Sequence, residues 1–148
     1  MAALTAERNS PESAGVHNLE TVKDAEVIFA GALVALDANG EAVNAADTAG
    51  LKVRGRCEQS VDNSADGESV KVKRGAFWYD NDGNITAAHI GTSACVVDNQ
   101  TVGPAAETSN AIIAGEILAV DASLGVLVDT RLAGRYTKAE ADAAIAAS

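Results

Sequence analysis

Short stretches in which apolar and polar residues alternate run through the middle of the chain. Leu51, Val53 and Cys57 alternate with basic residues, and Val70 and Val72 alternate with lysines. A repeat of two residues is typical of a β-strand with one buried face. Turns rich in Asp, Asn, Ser and Gly separate these stretches roughly every 10–15 residues, with no long amphipathic helix between them. The pattern predicts an all-β core, either a small β-barrel or a β-sandwich.

Two hairpins are the clearest local features of this core. Asn39-Gly40 tolerates positive φ at both positions, so it predicts a tight turn between strands at Val27–Leu36 and Glu41–Val43. Ile112–Val120 and Val126–Val128 are predicted to pair across the turn that separates them. Further strands are predicted at Leu51–Cys57, Val70–Lys73, Ala76–Tyr79 and Ala94–Val97, and a polar loop at Asp98–Asn110.

The two ends of the chain lack the alternating pattern. Residues 1–20 are polar, which predicts an extended N-terminal arm without a core of its own. The C-terminal residues are rich in alanine and include Thr137-Lys138-Ala139-Glu140, a capping-box sequence that starts helices. A short C-terminal α-helix is therefore predicted. The chain divides into an arm (1–20), a β-rich core domain (21–130) and a helical tail (131–148).

Composition and charge restrict the function. The 148 residues are 47% hydrophobic but only 3% aromatic, so the core must consist mainly of Ala, Val, Ile and Leu. The formal net charge of -10 argues against binding to the phosphate backbone of a nucleic acid. The longest apolar run, Val27–Leu36, is half as long as the ~20 residues that span a membrane. Neither a nucleic acid nor a membrane is expected as a direct partner.

Cysteine and histidine usage gives no reactive or metal-binding pattern. Cys57 and Cys95 lie in predicted strands and are too few for a disulfide scaffold, so we interpret them as buried structural thiols. His17 and His89 have no partner at the spacing of metal ligands. The first residues lack the apolar segment of a signal peptide. We therefore expect a soluble protein made in a reducing cytoplasm.

Two aspartate motifs are candidates for chemistry. Asp80-Asn81-Asp82-Gly83 matches the middle of a calcium loop, but Trp78 and His89 stand where that loop needs oxygen ligands, so a β-turn is favoured. Asp47-Thr48-Ala49-Gly50 is similar to the Asp-Thr-Gly of aspartic proteases, whose mechanism needs a second carboxylate. A dimeric aspartic hydrolase using Asp47 is kept as a remote alternative. Otherwise we predict no enzyme, no catalytic residues, no metal and no cofactor.

Basic residues are concentrated in the middle of this acidic chain. Six of the eleven lie within 52–74, beside four acidic residues. Alternation places Lys52, Arg54 and Arg56 on one face of a strand, and Lys71 and Lys73 on one face of another. If these strands pair, a basic stripe results. The stripe is either a solvated sheet face that protects against aggregation or a docking face for an acidic partner.

Three of the few aromatic residues are consecutive, at Phe77-Trp78-Tyr79. In a strand, Phe77 and Tyr79 point one way and Trp78 points the other. One side is predicted to be core. The other side is either a second core layer or an interface anchor, a position that favours Trp and Tyr.

Several sequence segments, taken in their order along the chain, carry a resemblance to a known family. They are LTAERNSPE at 4–12, FAGALVALD at 29–37, RGRCE at 54–58, VDNS at 61–64, VKVKRGAF at 70–77, IG at 90–91, VDNQTV at 97–102, AGEI at 114–117 and VD at 120–121. As an ordered set they resemble bacteriophage capsid cement (head-decoration) proteins over nearly the whole chain. Trp78-Tyr79-Asp80 and the tail after Val128 depart from the family pattern.

The resemblance implies a compact β domain on the outer surface of an icosahedral capsid. Such a protein would bridge neighbouring subunits of the major capsid protein and stabilise the shell. The implied partners are the major capsid protein and further copies of the chain itself, as a homotrimer or a dimer. The implied location is the virion, after synthesis in the cytoplasm of the bacterial host.

The predicted contact residues come from the arm, the basic segment and the aromatic run. They are Arg8, Asn9, Pro11, Lys52, Arg54, Arg56, Lys71, Lys73, Arg74 and Trp78. The alternative hypothesis is a small cytosolic binding or assembly protein of unknown ligand that uses the same sheet face.

Overall fold

In a computed structural model, β-strands dominate the described part of the chain, which comprises residues 17–133 and residues 3, 5 and 6. Short 3-10 helices lie at Ala87–His89, Ala105–Glu107 and Thr130–Leu132. The prediction of an all-β core is confirmed. The strands are β1 (His17–Thr21), β2 (Val27–Ile28), β3 (Leu33–Leu36), β4 (Ala42–Asn44), β5 (Lys52–Cys57), β6 (Val61–Asp62), β7 (Ser69–Lys73), β8 (Ala76–Asn81), β9 (Ser93–Val96), β10 (Thr101–Pro104), β11 (Ile113–Asp121) and β12 (Gly125–Asp129).

Both ends of the predicted organisation extend beyond the described residues. Arg8, Asn9 and Pro11 lie outside them, as does the predicted tail helix with its capping box at 137–140. The last four residues of the predicted arm, 17–20, belong to β1 and pair with β7. The β-core therefore includes residues that precede the predicted boundary at residue 21.

Five strands close into a barrel in the order β10-β8-β12-β11-β9. Most neighbours are antiparallel, but β10 runs parallel to β8, and this pair closes the barrel. Between the two architectures left open by the sequence, the barrel is thus the one that forms. One cluster of buried apolar residues includes side chains from all five barrel strands and is called the barrel core. It contains Leu33, Ala35, Ala45, Val53, Tyr79, Ile85, Ala94, Val96, Val102, Ile112, Ala114, Ile117, Val126 and Val128.

The remaining strands form a five-stranded sheet in the order β1-β7-β5-β3-β4 and a small β2-β6 pair. A bridge between Val22 and Ala42 brings the two ends of the larger sheet together. Leu33 and Ala35 of β3 belong to the barrel core, whereas Val34 belongs to a second cluster. This strand therefore joins the sheet to the barrel. The second cluster, the sheet core, contains Val22, Ile28, Ala32, Val34, Ala42, Cys57, Val70 and Val72.

Both predicted hairpins are present. β3 pairs with β4 across the Asn39-Gly40 turn, and β11 pairs with β12. The first strand of the earlier hairpin is shorter than predicted, because 29–32 separates β2 from β3. The predicted loop at Asp98–Asn110 was wrong in part, because it contains β10, whose Val102 is fully buried.

Strand β5 departs from simple alternation at Arg54. Val34 pairs with Gly55 and Ala35 pairs with Val53, which leaves Arg54 as an unpaired extra residue in a β-bulge. A bulge reverses the side to which the following residues point. Val53 accordingly lies in the barrel core and Cys57 in the sheet core, although a regular strand would place both on one face. The prediction that Lys52, Arg54 and Arg56 share one face was therefore wrong.

Candidate functional site

The two lysines of β7 form the clearest charged surface. Lys71 pairs with Leu19 and Lys73 pairs with His17 across the β1-β7 ladder. Paired residues point to the same side of a sheet. Val70 and Val72, which alternate with the lysines, are buried in the sheet core on the other side. His17, Leu19, Lys71 and Lys73 together are called the β1–β7 face, and Leu19 is 75% exposed on it.

Arg56 is engaged with neighbouring side chains rather than free for a partner. Its Nη2 lies 2.7 Å from a carboxylate oxygen of Glu58, and its Nε lies 3.0 Å from the same oxygen. Its guanidinium stacks over the ring of Phe77, 3.9 Å from the ring centroid. The hydrogen bond from Arg56 is the main reason why the pKa of Glu58 lies below its usual value. His17 Nε2 approaches another oxygen of Glu58 at 3.8 Å.

The other predicted cations divide into paired and unpaired groups. Arg54 Nε donates to a carboxylate oxygen of Glu20 at 3.0 Å. Lys52, Lys71 and Lys73 form no ion pair within the part of the chain that the structure describes. The side chain of Arg74 is half-buried, and its Nε has no hydrogen-bond partner among the described residues. The predicted continuous basic stripe is thus replaced by a lysine pair beside two neutralised arginines.

Replacing Arg56 with glutamine should raise the pKa of Glu58 towards its ordinary value. A carboxyl group whose pKa is lowered by folding stabilises the protein above its unfolded-state pKa, and this contribution disappears as pH falls through the folded-state pKa. The loss of stability in Arg56→Gln should therefore be larger at pH 7 than at about pH 2. An NMR titration of the Glu58 carboxyl carbon measures the shift, and denaturation at both pH values measures the stability.

Lys52→Gln is the matched control for this pair. It removes one positive charge from the same strand, but Lys52 does not contribute to the lowered pKa of Glu58. The pKa of Glu58 should remain at the parent value in this variant. An unchanged pKa in Arg56→Gln would contradict the pairing.

Trp78 lies apart from the lysine pair, in a cleft. The predicted alternation along β8 is confirmed, because Tyr79 is buried in the barrel core whereas Trp78 is 39% exposed. Trp78 lines an open cleft of about 490 Å³ together with Phe29, which is 66% exposed. This cleft, called the aromatic cleft, lies between β8 and the loops at 29–32 and 98–100.

Hydrogen bonds fix the loops around the aromatic cleft. The carbonyl of Asn99 accepts from the backbone N–H of Leu33 at 2.8 Å, and that of Gln100 accepts from the N–H of Asp80 at 2.8 Å. The Asn99 amide also donates to Asn44 Oδ1 at 2.9 Å. The 98–100 loop is thus held to β3 on one side and β8 on the other. We infer that the cleft is preformed.

Sequence reasoning did not identify three residues of this cleft, Phe29, Asn99 and Gln100. Phe29 lies within an apolar run, where an apolar residue is ordinarily buried. Asn99 and Gln100 lay in a stretch interpreted as a polar loop. Gly31, which adopts a φ of 94°, was the available signal that the run is interrupted.

The aspartate motifs have structural roles in the folded chain. The Asp47 carboxylate accepts from the backbone N–H groups of Ser109 at 2.7 Å and Asn110 at 2.9 Å, and these bonds hold its pKa below the usual value. Both carboxylate oxygens are thereby held by backbone N–H groups of the 109–110 segment, and this geometry favours a loop anchor. In the other motif, Asn81 Oδ1 accepts from the Gly83 N–H at 2.9 Å, as in the predicted turn.

Cys57 and Cys95 are buried, as predicted, and burial raises the pKa of the Cys57 thiol. Within residues 17–133, no three His, Cys, Asp or Glu side chains come together as a metal site would require.

Across the described ranges, no helix has the length and apolar character needed to cross a membrane.

Comparison with known proteins gives no family assignment. No protein-family model, curated protein or solved structure matches the chain.

Proposed function

We propose that the chain is a structural virion protein that binds the outer surface of a phage capsid and cements neighbouring major capsid protein subunits. The proposal starts from the sequence resemblance to capsid cement proteins. It identifies the major capsid protein as the partner and other copies of this chain as neighbours in a homotrimer or dimer.

The β1–β7 face is the observation that carries the proposal. Lys71 and Lys73 form no salt bridge with any residue that the structure describes, on a chain whose formal net charge is -10. The exposed Leu19 lies directly beside Lys71. An apolar contact flanked by positive charges suits docking onto an acidic surface, because burial of the leucine supplies affinity and the lysines supply orientation.

The sequence position of β1 supports the same surface. β1 begins at His17, directly after the segment that contains Arg8, Asn9 and Pro11. Contacts made by this segment and by the β1–β7 face would be linked in one chain. Linked weak contacts gain affinity because the second contact forms at a high effective concentration.

Co-sedimentation with purified, expanded capsids of the same virus tests the proposal. The protein should pellet with the capsids and should raise the temperature at which they rupture. Failure to pellet and an unchanged rupture temperature would together contradict a cementing role.

Reversing Lys71 and Lys73 to glutamate should weaken capsid binding about tenfold or more, because like charges would then face the acidic partner. Binding of the parent protein should also weaken as salt is raised. The matched control is the Lys23→Glu, Asn39→Asp, Ala122→Glu triple variant, which makes the same change in net charge at exposed positions outside this face and outside the predicted contact residues. Equal binding by the double variant and this control would show that the β1–β7 face is only a solvated surface.

A further inference from the structure

We propose that the aromatic cleft binds a neutral carbohydrate. The inference is independent of the proposed capsid-binding function, because it concerns a different surface. It rests on the exposed aromatic side chains, the charge of the lining and the hydrogen-bonding groups left free there.

Phe29 and Trp78 supply the apolar part of the site. Both line the cleft, with exposed fractions of 66% and 39%. Exposed aromatic rings are costly to leave in water, and binding sites concentrate them. The faces of aromatic rings carry partial negative charge, so the C–H groups on one face of a pyranose ring pack favourably against them.

The charge of the lining selects for an uncharged ligand. Asp80 is the sole ionisable carboxylate among the lining residues, and none of them is Lys, Arg or His. An anionic sugar, a phosphate or an acidic peptide would meet a like charge with no compensating cation. A neutral ligand avoids this cost.

Free side-chain groups in the cleft suit hydroxyl groups. The Asp80 carboxylate and the Gln100 amide make no side-chain hydrogen bond to any residue that the structure describes. Asn99 uses its amide N–H for Asn44, which leaves its own side-chain oxygen as an acceptor. Carboxylate and amide groups offer both the acceptors and the donors that a polyhydroxyl ligand needs.

Backbone groups around the cleft are already used, which disfavours an extended peptide as the ligand. Peptides that bind as added strands require free main-chain donors. The N–H of Ala30 donates to Ser60 Oγ, that of Gly31 donates to the Cys57 carbonyl, and that of Ala32 donates to the Phe29 carbonyl. The N–H of Asp80 donates to the Gln100 carbonyl.

Fluorescence titration of the full chain tests the proposal, because Trp78 is the single tryptophan and lines the cleft. The probes are linear oligosaccharides of glucose, mannose, galactose and N-acetylglucosamine, with oligosialic acid as an anionic comparison and decaproline as a peptide comparison. At least one neutral oligosaccharide should change Trp78 emission in a saturable way, with a Kd in the range of about 0.1–10 mM. Oligosialic acid should bind more weakly.

Two variants and a control assign the binding to the cleft. Phe29→Ala should raise the Kd about tenfold or more, and Gln100→Ala should raise it severalfold. Leu124→Ala truncates another exposed apolar residue, which lies outside the cleft, and should bind as the parent does. Absence of a response to every neutral oligosaccharide up to about 20 mM, an unchanged Kd in Phe29→Ala, or saturable binding of decaproline alone would overturn the proposal.

Discussion

Replacing Asn63 with aspartate should destabilise the protein by about 4 kcal/mol at pH 7, an unusually large loss for one isosteric change. Asn63 is fully buried. Its Nδ2 donates to the carbonyls of Val22 at 3.0 Å and Lys23 at 2.9 Å, and its Oδ1 accepts from the N–H of Glu68 at 2.9 Å. An aspartate carboxylate has no hydrogen to donate, so it would place a negative charge against two carbonyl oxygens.

The pH dependence of stability shows whether Asn63→Asp acts through the lost hydrogen-bond donors or through a change in the shape of the side chain. The introduced carboxyl group should bind a proton in the folded state, because protonation restores one donor and removes the buried charge. A group whose folded-state pKa is raised stabilises the protein at low pH, and this contribution is lost as pH rises through the folded-state pKa. The difference in unfolding free energy between Asn63→Asp and the parent should therefore shrink as pH falls through the raised folded-state pKa, and should be smallest below the unfolded-state pKa of about 4.

Urea denaturation of the parent, Asn63→Asp and Asn39→Asp measures these differences. Asn39→Asp adds the same charge at an exposed hairpin turn, and Asp-Gly is also a favoured sequence there, so its effect should remain within about 0.5 kcal/mol. Similar losses in both variants would show that net charge, rather than the Asn63 hydrogen bonds, limits stability.

Local sequence signals predicted the hairpins because each one depends on residues that are close in the chain. Asn39-Gly40 determines its turn through backbone conformation, and Gly40 has a φ of 78°. The closure of the barrel could not be predicted in this way. It depends on the parallel pairing of Thr101 in β10 with Asp80 in β8. Parallel strands are not joined by a tight turn, so no local turn sequence predicts this contact.

The candidate sites show the same division between local and long-range information. Lys71 and Lys73 share a face because β7 pairs regularly, so alternation was sufficient. Arg54 is neutralised by Glu20, which is 34 residues away in sequence. Alternation also failed at Arg54 because Gly55 permits a bulge. A Cβ on Gly55 would collide with the carbonyl of Lys73.

The aromatic cleft is the feature that could least be predicted from the sequence. Its lining comes from the 29–32 loop, β8 and the 98–100 loop. The sequence could indicate that Trp78 faces away from the core, because Tyr79 faces into it. It could not indicate that Phe29 lies across from β8, since an apolar residue in an apolar run is ordinarily buried.

Replacing Gly125 with alanine should destabilise the protein by about 4 kcal/mol, because a methyl group there collides with the backbone of the neighbouring strand. Gly125 begins β12 with a φ of 96°, and an added Cβ would fall on the carbonyl oxygen of Tyr79 and lie 3.3 Å from the Cα of Asp80. Both contacts belong to β8, which pairs with β12 in the barrel. Relief of the collision requires the two strands to separate.

Gly83→Ala separates this collision from the cost of the backbone conformation. Gly83 has a φ of 99°, nearly the same as Gly125, but an added Cβ meets no atom within 4 Å. Gly83→Ala should therefore lower the free energy of unfolding by only about 1–2 kcal/mol, which is the cost of placing alanine in a left-handed backbone conformation. Urea denaturation of the parent and both variants gives the comparison. Equal losses would mean that β12 can move away from β8 at little cost, which is incompatible with a tightly closed barrel.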